Sequence, residues 1–177
     1  MRKGGKRLWL VTGAIVLQLL VLCGIAFSNT AVERYGNEIR LKTAPVDPRD
    51  LFYGDYVILN YDISTLPVSL WMDQALPEPG QRVYVRLRPS ADDPLLYEAA
   101  AITPHRPKTG MEEAILRARV NYLWDGNIQL TYGFERYYVP EGTGRTLEER
   151  RENMQVAVKI APWGQVKLSR LILPGEY

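Results

Sequence analysis

Few residues in this chain could do chemistry near neutral pH. Its 177 residues include one His, His105, and one Cys, Cys23. A single His and a single Cys cannot build a zinc cluster, and one Cys cannot close an internal disulfide. His105 stands in Thr-Pro-His-Arg-Pro, a loop context that leaves its ring in water. What remains is carboxylate chemistry, and Asp47, Asp50, Asp55, Glu135 and Glu141 are candidates by type. Two carboxylates held roughly 5–9.5 Å apart across a cleft can hydrolyse a glycosidic bond. The three aspartates could also offer oxygens to Ca²⁺, which takes about six to eight, but their spacing fits no Ca²⁺ loop. No glycine-rich loop for phosphates or dinucleotides is present. The expectation is therefore no catalytic residue, no metal and no cofactor. An envelope hydrolase using carboxylates near Asp55 and Glu135 is the alternative.

The elements that would position such residues begin with a membrane segment. Residues 1–27 hold four of the 22 basic residues (Arg2, Lys3, Lys6, Arg7) and none of the 20 acidic ones. The rest of the chain is then net −2, against +2 overall. That balance offers no concentrated basic domain for nucleic acid, and none is expected as a partner. Leu8–Phe27 carries no charge and one amide, Gln18. Roughly 20 apolar residues cross a hydrocarbon core of about 30 Å as a helix, because lipid cannot satisfy an irregular backbone. Cations before the run, with none just after it, hold the amino terminus in the cytoplasm, and Trp9 suits the interface. A cleaved signal peptide shares the basic start but usually has an apolar core of about 7–15 residues. Gly24-Ile25-Ala26 could be its cleavage site; Leu22 before Cys23 is too large for a lipid-attachment box. The predicted organisation is a cytoplasmic tail (1–7), a transmembrane helix (8–27), a polar stalk (28–38) and an extracytoplasmic domain (39–177).

The outer part reads as mainly β, one compact and mostly antiparallel domain with one short helix. Period-two alternation marks Arg82–Arg88, with Val83, Val85 and Leu87 on one face. Leu95–Ile102 is a softer strand. Leu116, Ala118, Val120, Tyr122 and Trp124 share a face of another, and Asp125-Gly126 is a hairpin turn needing φ > 0. Ile128, Leu130, Tyr132 and Phe134 line the return strand. Met154, Val156, Val158 and Ile160 line the next, and Pro162-Trp163-Gly164 turns the chain into Val166–Leu173. Pro67–Pro79 and Pro104–Gly110 read as loops. Thr146-Leu147-Glu148-Glu149 is a capping box for a short helix ending near Asn153. If their strands are neighbours, Arg82, Arg86, Arg88, Arg117 and Arg119 form a basic face suited to anionic lipid headgroups. Otherwise they are an ordinary solvated face.

The most specific stretch is Pro45–Ile63. Asp47-Pro48 and Asp50 suit one helical turn with a carboxylate at its positive end. Gly54-Asp55 is a turn into a strand. Alternation then puts Asp55, Val57, Leu59, Tyr61 and Ile63 on one face, and Tyr56, Ile58, Asn60 and Asp62 on the other. Gly54, Asp55, Tyr56, Leu59 and Tyr61 match all five defining positions of the GDYXXLXY family, which this chain resembles over most of its length. The flanking VDPRDLF and Phe134–Gly142 (FERYYVPEG) are similar as well. The resemblance implies a bacterial, membrane-associated protein with one amino-terminal helix and an outer domain, and it implies no activity. Leu51–Val57 also resembles the stretch after the nucleophile in signal peptidases. The Ser of that pattern would stand eight residues before Gly54, at Val46 here, and Val cannot form an acyl intermediate.

The motif either fixes register and fills core on both sides of a strand, or offers Asp55 and a Tyr to a partner. Glu135 and Arg136, followed by Tyr137 and Tyr138, either form a buried ion pair that locks a β-bend or line a partner groove with Glu141 nearby. The function expected is a membrane-anchored binding or assembly module of the bacterial envelope. Its partners would be the bilayer, through residues 8–27, and another membrane or envelope protein.

Overall fold

The computed structural model describes residues 4–44, 56–110, 112–138 and 154–173. Its first element, α1, runs from Gly4 to Tyr35. The segment expected to span lipid is therefore helical, and its side chains from Trp9 to Phe27 are exposed. One helix in the described residues is long and apolar enough to cross a membrane. The helix does not stop at Phe27, and the polar stalk expected from residue 28 is helical as far as Tyr35. Polar side chains are accommodated there by bonding back along the helix. Ser28 Oγ donates to the Ile25 carbonyl (2.8 Å) and Thr30 Oγ1 to the Ala26 carbonyl (3.1 Å). Gly36 ends the helix, its N–H still bonded to the Val32 carbonyl at 2.9 Å.

Strand β1 (Asn37–Lys42) follows at once, so no loop separates the helix from the domain. Ala31 and Val32 are already buried. Lys167 Nζ donates to the Glu33 carboxylate at 3.0 Å, and Lys159 Nζ to the Glu33 carbonyl at 3.0 Å. Both cations sit at the negative end of the helix dipole, where positive charge is favoured.

Nine further strands follow among the described residues: β2 (Tyr56–Ile58), β3 (Thr65–Pro67), β4 (Arg82–Pro89), β5 (Tyr97–Thr103), β6 (Ala114–Trp124), β7 (Asn127–Thr131), β8 (Arg136–Tyr138), β9 (Gln155–Ile160) and β10 (Val166–Ile172). They form sheets in the orders β1-β9-β10, β2-β8 and β3-β7-β6-β4-β5, with every strand pairing antiparallel. A single core includes Leu41, Val85, Leu87, Leu116, Ile128 and Val156. The alternation expected in β4 holds, with Val83, Val85 and Leu87 fully buried. The β6–β7 turn also holds: Asp125 and Gly126 have φ of 49° and 72°, the geometry a two-residue hairpin loop needs.

Two expectations are corrected. Tyr122 and Trp124 do not share the buried face of Leu116. A bulge between Val120 and Tyr122 shifts the register, turns Leu123 toward the core and leaves Trp124 74% exposed. The Pro67–Pro79 stretch is not all loop. Pro67 closes β3, which lies at the edge of its sheet, where a missing donor is tolerated. Trp71 then folds in, and its indole N–H donates to the Ala75 carbonyl at 2.7 Å. The helix expected at Thr146–Asn153 lies outside the described residues.

Candidate functional site

The two stretches singled out in the sequence are neighbours in space. β2 pairs with β8 in the register Tyr56↔Tyr138, Val57↔Tyr137 and Ile58↔Arg136. The Leu59 N–H extends the ladder to the Glu135 carbonyl at 2.7 Å. Beyond Ile58 the expected strand gives way to a 3-10 turn over Asp62–Ser64. Ser64 stabilises it from inside. Its buried Oγ accepts the Tyr61 N–H (3.1 Å), and its own N–H returns to the Tyr61 carbonyl (2.8 Å). The alternation survives this change of path: Leu59, Tyr61 and Ile63 are buried while Asp62 is exposed.

Two phenols cross between the segments. Tyr61 Oη donates to the Phe134 carbonyl at 2.9 Å, and Tyr132 Oη donates to the Ile63 carbonyl at 2.6 Å. Phe134 lies between the two rings, with centroids 5.2 Å from Tyr61 and 5.7 Å from Tyr132. Each strand segment is thus held by the side chain of the other, as a clasp is held by two hooks. Burial, and secondarily the Glu135 charge, pushes both phenols far above their ordinary range. They stay protonated and act as donors; neither can serve as an acid or base near neutral pH.

Glu135 completes the clasp. Its carboxylate accepts the N–H of Tyr132 and the N–H of Gly133, the latter at 2.9 Å, and so closes the turn that carries Phe134. Gly133 has φ of 90°, which that turn requires. The buried Glu135–Arg136 ion pair expected from sequence is not formed: Glu135 serves backbone amides and Arg136 is exposed. Replacing Glu135 by Gln should cost about 1–3 kcal/mol, because one amide N–H then faces an NH₂ group rather than an acceptor. Urea unfolding of wild type and Glu135→Gln measures this, and equal midpoints would refute the role given to the carboxylate.

Tyr137 is half-buried against the core, whereas Ile58 and Tyr138 are exposed on the ribbon. Gly54, Asp55 and Glu141 lie outside the described residues, as do Asp47 and Asp50. Nothing in the sequence marked Ser64 or Tyr132 as part of this arrangement. Tyr132 appeared only as a core residue, and a phenol's carbonyl partner cannot be read from alternation. Among the described residues no three His, Cys, Asp or Glu side chains gather as a metal site would need.

A family model described as GDYXXLXY protein matches residues 18–171. No curated protein and no solved structure matches the chain.

Proposed function

The chain belongs to the GDYXXLXY protein family, and from that premise we propose that it is a membrane-anchored binding or assembly module of the bacterial envelope. Its amino terminus lies in the cytoplasm and its β domain on the outer side of the cytoplasmic membrane. The observation that carries this proposal is the unbroken passage of α1 into the domain, clamped by Lys159 and Lys167 around Glu33. From Ser28 to Tyr35 the helix rises about 12 Å at 1.5 Å per residue. A domain carried on such a short, stiff post keeps one orientation to its membrane helix. That suits docking to a neighbour embedded in the same membrane better than ranging over dispersed substrates.

The contact face is the outer row of the β2–β8 ribbon. Ile58 is 37% exposed and Tyr138 71% exposed, with Arg136 opposite Ile58 in the register. Tyrosine and arginine are the residues on which protein interfaces concentrate binding energy. The buried clasp beneath the row supplies a rigid base, so little ordering is required on binding.

A photo-crosslinking residue at position 58 of the intact chain, in native membranes, tests this. The expected result is one discrete adduct with a membrane protein, lost in Tyr138→Ala while the domain stays folded. The same residue at position 124, exposed on the β6–β7 hairpin, should not yield that adduct. Identical adducts from positions 58 and 124, or none from 58, would refute the contact face. Labelling of the β domain by an impermeant reagent only after the membrane is opened from the cytoplasmic side would refute the topology.

A further inference from the structure

The outer face of the five-stranded sheet carries an open groove of about 310 Å³ lined by Arg82, Arg117, Arg119, Asn121, Thr131 and the Tyr132–Gly133 turn. Register brings the cations together: Arg82 stands directly opposite Arg119, and Arg117 opposite Tyr84 one step along. Like charges directly opposite on neighbouring strands are unfavourable. Elsewhere this sheet balances its charge. Arg86 faces Glu113 at 3.8 Å, and Arg88 stands opposite Glu98 in the β4–β5 register. The groove has no acidic side chain in its lining. Arg119 Nη1 donates to the Gly80 carbonyl at 3.2 Å, and the guanidinium groups of Arg82 and Arg117 make no hydrogen bond or ion pair among the described residues. Asn121 is held by Thr131 through Nδ2–Oγ1 at 2.6 Å.

We propose that this groove binds a phosphate-bearing group. Two guanidinium groups with all their donors unused, and a third with donors to spare, converge on one open space. Each is a planar fork that can meet two oxygens of one anion. A single carboxylate would balance one of the three charges, whereas a phosphate offers more charge and more acceptor oxygens. The wall formed by Tyr132 and Gly133 is rigid because Glu135 holds both amides.

The phosphate can come from a phospholipid headgroup or from a soluble phosphate compound. Connectivity bears on the choice. Tyr84, opposite Arg117, also pairs with Thr103, and three residues on Arg106 Nη2 reaches the Pro162 carbonyl at 3.1 Å. Pro162 lies in the hairpin after Ile160, the partner of Asn37 at the exit of α1. The groove is thus linked through one loop to the end of the domain that meets the anchor.

The test uses the full chain in detergent, with native mass spectrometry of bound phosphatidylglycerol and titration with inorganic phosphate. Wild type should retain either ligand about tenfold better than Arg82→Gln/Arg117→Gln, a factor consistent with two exposed ion pairs. Removing like charges should leave that variant at least as stable as wild type, so reduced retention will not reflect unfolding. Preference for the lipid, uncompeted by inorganic phosphate, assigns the headgroup as source; competition assigns a soluble phosphate. Wild type that binds neither ligand, or equal retention by a folded variant, would overturn the proposal. The protein–protein contact at Ile58 and Tyr138 is independent of this result.

Discussion

Replacing Tyr61 by alanine should remove most of the domain's stability. Truncating a buried aromatic side chain costs about 3–5 kcal/mol. The Phe134 carbonyl would also lose its donor, adding about 1–3 kcal/mol if it stays buried. Against a typical domain stability of about 5–15 kcal/mol, the sum is a large share. Tyr61→Phe separates the two contributions. It keeps the ring against Phe134 and should lose only the hydrogen-bond part. Leu59→Ala, on the same buried face, should cost about 2–5 kcal/mol. Tyr122→Ala is the control, since Tyr122 is exposed and a surface change should stay within about 0.5 kcal/mol. Urea unfolding of the full chain in detergent, followed by tryptophan fluorescence, gives all four values. Tyr61→Ala and Tyr122→Ala with equal midpoints would end the case for the clasp.

High pH should unfold the domain steeply. The sign follows from proton counts. Both Tyr61 and Tyr132 titrate in the folded state above their ordinary value of 10. Above that pH the unfolded chain loses the two protons and the folded chain keeps them. Stability is therefore complete below pH 10 and falls as pH rises beyond it. Each phenol contributes a slope of about 1.4 kcal/mol per pH unit, so the pair gives about 2.7. Tyr61→Phe removes one of the two and should roughly halve the slope. This comparison also isolates the Tyr61 phenol from every other group in the chain. An unchanged slope in Tyr61→Phe would show that the Tyr61 phenol ionises without opening the clasp.

The apolar run in residues 8–27, the alternation in β4, β7 and β9, and the turn before β10 made the helix and most strands legible from sequence. Burial against one face leaves a period-two trace, and lipid leaves a length. The bulge in β6 left no such trace, because an extra residue shifts the face without altering composition. The helical path of residues 28–35 left no trace for a different reason. Ser28, Asn29, Thr30 and Glu33 are polar, but polarity does not end a helix when hydroxyls can bond back to the preceding turn and Lys159 and Lys167 cap the end. The motif's buried face was readable, since Leu59, Tyr61 and Ile63 alternate. Its crossed phenols were not, because Phe134 and Ile63 take part through carbonyls that every residue possesses.

The absence of a hinge after Tyr35 makes lipid thickness mechanically relevant. When a bilayer thins, a spanning helix tilts to keep its apolar length covered. With Val32 and Glu33 fastened to β9 and β10, the whole β domain must lean by the same angle. A lean of about 20°, a common tilt, would carry a point about 30 Å from the pivot sideways by about 10 Å. Crowding, thinning or a neighbouring helix that straightens α1 would thus sweep the row of Ile58 and Tyr138 across a distance comparable to a helix diameter.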